Sequence, residues 1–420
     1  MSNQPQSTTS AGAVVSIIAV TSLTYAMFFM FAMTTDAVGE IIKIAKVDMQ
    51  LTNVQASAFH WATMVAIAAS GIGLGFLADR FGRKTTIIGG LTVYGLASMA
   101  FVLDQRFELY LILLCISGLA IGVFKTAALA LVGDIANSTE DHTSKMNAVE
   151  GFFGIGAIIG PMLVVWFASR GISWTWLYVI AALLCATMIL IAIFTKYPDH
   201  KRQSEEPASL MRGFSLMKNQ YAMGFSMAIA LYVACEVAIF VWLPSLLANF
   251  SGEGLSAVFA AYAVMIFFIL RAIGRFLGAF VLRIIDWKIV MLLFSGAIFL
   301  CFAGSAWFGQ SAVVFLLPLS GIFMSMMYPT LNSKGISCLP KADHGAVAGL
   351  ILFFTAVSAA FAPLAMALVA DGIGGGDMKY GFYLATGAAA CLFAMTAWNW
   401  LTDPAAKALS ANDSSEYSNG

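Results

Sequence analysis

The sequence predicts an all-α membrane protein with twelve transmembrane helices in two six-helix bundles. Three observations carry that expectation. Of 420 residues, 60% are hydrophobic and 10% charged, whereas a soluble domain carries roughly 25% charged residues. That polar surface is too small to face water, so the surrounding medium is lipid. Apolar segments near the ~20 residues that cross a bilayer recur twelve times, at 13–38, 53–79, 84–104, 108–136, 146–169, 173–196, 220–249, 255–282, 287–307, 311–337, 345–371 and 379–402. One sizeable polar linker, 197–219, separates the sixth from the seventh. The expected layout is an N-terminal bundle over 1–196, this linker, a C-terminal bundle over 220–402 and a tail over 403–420.

Composition also removes several function classes. Lys plus Arg and Asp plus Glu number 22 each, so no basic excess points to nucleic acid. The six cysteines stand singly and the four histidines are scattered, so neither a disulfide framework nor a metal site is expected. No Gly-x-x-x-x-Gly-Lys-Ser/Thr run is present, which argues against an ATPase. Residues 1–12 lack the basic start of a secretory leader. No covalent chemistry and no bound cofactor are expected.

Taken in order, the helices carry few polar groups, and those few are informative. The first ends on Thr34-Thr35-Asp36-Ala37, and the second carries His60-Trp61 in its first half. The second helix runs into Gly75-Phe76-Leu77-Ala78-Asp79-Arg80-Phe81-Gly82-Arg83-Lys84. There Gly75 allows close helix approach, Gly82 allows a sharp turn, and Asp79, Arg80, Arg83 and Lys84 can lock helix ends on one side. The fourth helix carries Lys125 and, nine residues later, Asp134. Nine residues make about two and a half turns, so the two point to opposite faces. Asp134 is expected to pair with Arg83 or Arg80.

The fifth helix has Glu150 near its start and then Gly154, Gly156 and Gly160, a small-residue stripe read as close helix packing. The seventh carries Tyr232, Glu236 and Trp242. The eighth ends on Gly274-Arg275-Phe276-Leu277-Gly278, a degenerate second copy of the run at Gly75, with Arg271 one turn earlier. Such a repeat suits two halves related by an axis along the membrane normal. On the tenth, Tyr328 and Asn332 share a face. Pro161, Pro244, Pro318, Pro329 and Pro363 are expected to kink or break their helices. Loops on the side of the Gly75 run hold fourteen Lys and Arg against five on the other, so that side and both termini are expected in the cytoplasm.

The ten residues Gly75–Lys84, read as G-x-L-A-D-R-x-G-R-K, resemble the signature loop of the major facilitator superfamily. Asn147-Ala148-Val149-Glu150, Tyr232-Val233-Ala234-Cys235-Glu236-Val237-Ala238 and Gly321-Ile322-Phe323-Met324-Ser325-Met326-Met327-Tyr328-Pro329-Thr330 resemble its fucose:proton symporter branch. The resemblance implies import of a sugar or sugar derivative by alternating access across a bacterial inner membrane. A proton drives the uptake, with sodium left open. The solute and membrane lipid are the expected partners, nucleic acid is not, and the transporter is expected to be a monomer.

Under that resemblance, Asp36 matches an acidic residue used in proton coupling, Glu236 matches the seventh-helix glutamate, and Glu150 and His60 fall at or near glutamine positions. Lys125-Thr126-Ala127-Ala128 replaces an acidic residue before Thr-Ala-Ala with a cation. The expected coupling set is Asp36, Lys125 and Glu236, with Asp36 and Lys125 as a switchable pair. The expected solute wall is Thr35, His60, Trp61, Lys125, Glu150, Tyr232, Glu236, Trp242, Tyr328 and Asn332, the aromatics serving as flat platforms with a polar edge. The expected latch is Gly75, Asp79, Arg80, Gly82, Arg83, Lys84 and Asp134. Lys125 leaves open an acidic solute such as a uronic acid, and the Phe- and Met-rich spans leave open a multidrug exporter.

Overall fold

The computed structural model describes residues 11–74, 77–135, 139–197, 216–282, 284–339 and 344–409. Among these, every regular element is helical. The N-terminal half comprises α1 (Ala11–Thr35), α2 (Val38–Asp48), α3 (Asn53–Gly73), the single turn α4 (Leu77–Arg80), α5 (Arg83–Ala100), α6 (Phe107–Asp134), α7 (Thr139–Ser169) and α8 (Trp176–Phe194). After the linker come α9 (Gln220–Val237), a π turn (Ala238–Trp242), α10 (Leu243–Leu246), α11 (Leu255–Ala261), α12 (Ala263–Val281) and α13 (Trp287–Phe308). The chain continues through α14 (Gln310–Met324), α15 (Met327–Ser337), α16 (His344–Gly372) and α17 (Met378–Thr402).

All twelve predicted segments fall on helices. Among the described residues, nine spans are long and apolar enough to cross a bilayer, and α11 with α12 supplies a tenth, bent by 83°. α3 and α5 occupy the two remaining places. The first span is longer than the sequence suggested, running Ile17–Asp48 through α1 and α2.

Among the described residues four spans are broken, and prolines account for two of the breaks. A helical proline lacks the N–H that would bond the carbonyl four residues back, and its ring pushes that carbonyl aside. Pro244 acts this way on Phe240, inside the π turn, and Pro329 on Ser325, beside the α14–α15 junction. The bend at Tyr262 divides α11 from α12. In the first span a turn at Asp36-Ala37 separates α1 from α2 without any proline. Pro363 leaves α16 continuous but frees the Ala359 carbonyl in the same way.

The described residues pack as two units. One comprises those of Met1–Thr35, Ala66–Gly160 and Ile172–Gln203; the other comprises those of Asp36–Val65, Pro161–Gly171 and Ser204–Gly420. In the first unit α5 packs on α6 and α8, and α1 on α8. Gly156 and Gly160 of α7 meet the backbone of α1 so closely that a Cβ at either would strike the carbonyl of Phe29 or Met33. At Gly156 and Gly160 the stripe is therefore a packing surface, whereas Gly154 was expected to pack and does not: a Cβ there would meet nothing within 4 Å. Phe101 stacks on Tyr178 at 3.8 Å between centroids, with Tyr110 and Trp174 around it, and fixes one end of this unit. In the second unit α9 packs on α16, α17 and α15, α12 on α14, and α13 on α14 and α17. α2 lies against the π turn and α10. A Cβ at Gly39 would collide with the Phe240 carbonyl that Pro244 frees, so glycine is what lets α2 seat there.

Candidate functional site

In the second unit three of the expected site residues stand where helices break. Glu236 lies two residues before the π turn and is buried at 8% exposure. Arg271 of α12 reaches it, Nη1 to Oε1, as an ion pair. A charged side chain within a span costs at least ~2.5 kcal/mol, so two opposite charges stabilise one another there. One turn before Glu236, Tyr232 is fully buried, its ring 6.3 Å from that of Tyr328, which sits in the first turn after the α14–α15 break. Asp36 occupies the break in the first span, at 8% exposure. Broken helices leave backbone donors and acceptors unused, and membrane proteins tolerate this only in protein contacts or along a cavity. Asp36, Glu236 and Tyr328 thus each stand at or beside a break.

Lys125 lies in the first unit. Its Nζ lies 4.6 Å from the centre of the Phe31 ring and 5.9 Å from that of Phe28, a cation held over two aromatic faces. Thr35 is buried and donates to the Phe31 carbonyl at 2.9 Å, so its hydroxyl proton is used within α1. The Thr34 and Tyr94 hydroxyls meet at 2.7 Å and tie α1 to α5.

Other expected wall residues are placed differently. Trp242 is fully buried and donates Nε1–H to the Pro363 carbonyl at 3.0 Å, so it packs α16 against the π turn and offers no face to a solute in this conformation. Tyr232 likewise has no exposed surface. His60 is buried, its Nε2 2.9 Å from the Ala359 carbonyl and its ring edge-on to Phe240. It therefore closes a helix seam here instead of lining an open wall. Glu150 is exposed on α7, while Trp61, Tyr328 and Asn332 are half-buried.

Two of the residues expected in the latch, Arg83 and Asp134, meet. Arg83 donates Nε–H to Asp134 Oδ2 at 2.9 Å. Gly82 takes φ +83°, a left-handed conformation suited to glycine, directly before α5. Lys84 donates to the carbonyls of Ile193 at 2.7 Å and Thr195 at 2.9 Å, capping the end of α8. Arg80 lies over the Phe81 ring and is exposed. Gly75 and the Asp79 side chain lie outside the described residues.

Sequence reasoning left Arg271 without an assigned partner. Charge parity was the available signal, since an arginine and a glutamate in neighbouring apolar spans need one another. It also missed the cluster of Lys46, Asn53 and Asp371, described below, because each reads alone as an ordinary loop-flanking polar residue.

The family model of the Major Facilitator Superfamily matches residues 13–363. The chain belongs to the major facilitator superfamily. A glucose/galactose transporter of Brucella abortus (strain 2308) is 28% identical over 371 residues, covering 85% of this chain and 88% of that protein. Among solved structures, the nucleoside transporter NupG aligns with a TM-score of 0.72 at 18% identity, over 91% of this chain and 98% of that one. The Escherichia coli fucose:proton symporter FucP aligns with a TM-score of 0.60 at 19% identity, over 92% and 99%. At these identities the structures show the shared fold. This superfamily member is an integral membrane transporter and not an enzyme, and its solute is a small molecule.

Proposed function

We propose that this transporter imports a sugar by proton-coupled symport through alternating access, in a bacterial inner membrane with both termini in the cytoplasm. The observation that carries the reading is the near full-length similarity to the Brucella glucose/galactose transporter. The geometry agrees with it. A sugar presents hydroxyls and an apolar ring face, and Glu236, Arg271 and the half-buried Tyr328 bring hydrogen-bonding groups and an aromatic ring together beside helix breaks. Asp36, at the break of the first span, is the group proposed to carry the proton, with Lys125 and Glu236 as the charges that respond to it. A proton moving down the membrane potential supplies about 2.3 kcal/mol per 100 mV, enough for uphill uptake.

An acidic sugar is the second reading, and Lys125 favours it. A cation held over Phe31 and Phe28 suits a carboxylate on the solute. Counterflow into proteoliposomes, with radiolabelled glucose, galactose, fucose, glucuronate and uridine compared side by side, tests both. Counterflow of a neutral hexose supports the first reading and selective counterflow of glucuronate the second. Counterflow of uridine alone removes both.

A further inference from the structure

The start of α3 is held by a residue 318 positions away in the chain. Asp371 Oδ1 accepts the Asn53 N–H at 3.3 Å, and Oδ2 accepts the Val54 N–H at 2.8 Å. Asn53 Nδ2 donates to Asp371 Oδ1 at 2.7 Å and to the Gly376 carbonyl at 2.9 Å. Lys46 Nζ completes the cluster by donating to Asn53 Oδ1. The third amide is satisfied locally: Thr52 and Gln55 form a capping box, Oγ1 accepting from Gln55 N at 3.2 Å and Oε1 from Thr52 N at 3.0 Å.

Asp371 lies in the last turn of α16, where a negative charge opposes that helix's own dipole. The same charge is favourable on the N-terminus of α3. The residue is thus poorly placed for its own helix and well placed for another. Two turns further along α3, His60 repeats the connection by bonding the Ala359 carbonyl that Pro363 frees. Asn53 and His60 are seven residues apart and share one face of α3. One is bonded near the end of α16 and the other near its middle.

We propose that the α3–α16 seam is a polar gate, with Asp371 as its lock. It holds the end of the molecule away from the signature loop shut and must separate for that end to open. The proposal rests on the alternating-access reading and names the residues that carry one of its two closures. Backbone carbonyls and helix amides suit such a gate, because once it parts they can bond water, whereas an ion pair within a span would leave charges in lipid.

Hydrogen exchange on Asp371→Ala tests this without any solute. Amides 53–60 should exchange about tenfold faster than in wild type, while those of Trp287–Phe308 keep wild-type rates. Unchanged exchange at 53–60, or equal acceleration in both segments, overturns the lock. A second variant pairs Asn53→Cys with Asp371→Cys, with the six native cysteines changed to serine. Oxidation should abolish galactose counterflow and reduction should restore it. Equal counterflow in both redox states overturns the gate. A wild type that moves none of the tested sugars contradicts the sugar reading, and the exchange measurement still decides the lock.

Discussion

Arg271 of α12 and Glu236 of α9 form an ion pair inside two spans of the second unit. Their side chains are 17% and 11% exposed. Removing one partner of such a pair costs about 3–5 kcal/mol, because the other charge stays buried without its counterpart. Glu236→Gln should therefore lower stability in detergent by about 3 kcal/mol. Arg271→Met combined with Glu236→Met should recover most of that loss while transport stays absent. Thermal unfolding of the two variants checks the first part and counterflow the second. A double variant that transports normally would show the pair to be a strut alone.

Lys125 separates the two solute readings. Lys125→Gln keeps a hydrogen-bonding group and deletes the charge over Phe31. For a neutral hexose, affinity should fall by a few-fold. For a uronic acid it should fall by about a hundredfold, since truncating one partner of a desolvated pair costs ~2–5 kcal/mol. Binding titrations of galactose and galacturonate against wild type and variant give both numbers. Wild-type affinity for both solutes in the variant would remove Lys125 from the site.

At the signature loop, Arg83 and Asp134 are 11% and 28% exposed, so solvent screens the pair and its contribution is modest. A double-mutant cycle with Arg83→Gln and Asp134→Asn should return a coupling energy of about 0.5–1 kcal/mol. The reversed pair, Arg83→Asp with Asp134→Arg, should regain part of the transport lost in either single variant. A coupling energy indistinguishable from zero would leave Asp134 outside the latch.

Much of the fold was legible because lipid imposes a simple rule: every backbone polar group must be satisfied within its own segment, so apolar runs of spanning length become helices. The signature loop was legible for a related reason, since charges such as Arg83 and Asp134 cannot stay in lipid and collect where helices emerge. The Gly156–Gly160 stripe was read correctly as packing, because small residues mark close helix contacts. Harder to see was the destination of each freed carbonyl. Pro244 and Pro329 announced breaks and Pro363 a freed carbonyl inside a continuous helix, but nothing local says that Gly39 nests on Phe240 or that His60 bonds Ala359, nor that Trp242 bonds the Pro363 carbonyl. Those are tertiary choices between residues as much as 299 positions apart. His60 and Trp242 were accordingly read from chemistry as solute-binding groups, while in this conformation both serve packing. Asn53 and Asp371 were invisible for the same reason.

Proton-driven accumulation is the central claim, and galactose uptake into proteoliposomes under an imposed pH gradient tests it most directly. With the outside acidic by about two pH units, wild type should concentrate galactose above the external level, and a protonophore should abolish the gradient. Asp36→Asn should equilibrate galactose without concentrating it, because solute exchange survives when the proton-carrying group is neutralised. Accumulation by Asp36→Asn equal to wild type, or wild-type uptake that ignores the pH gradient, would contradict the account.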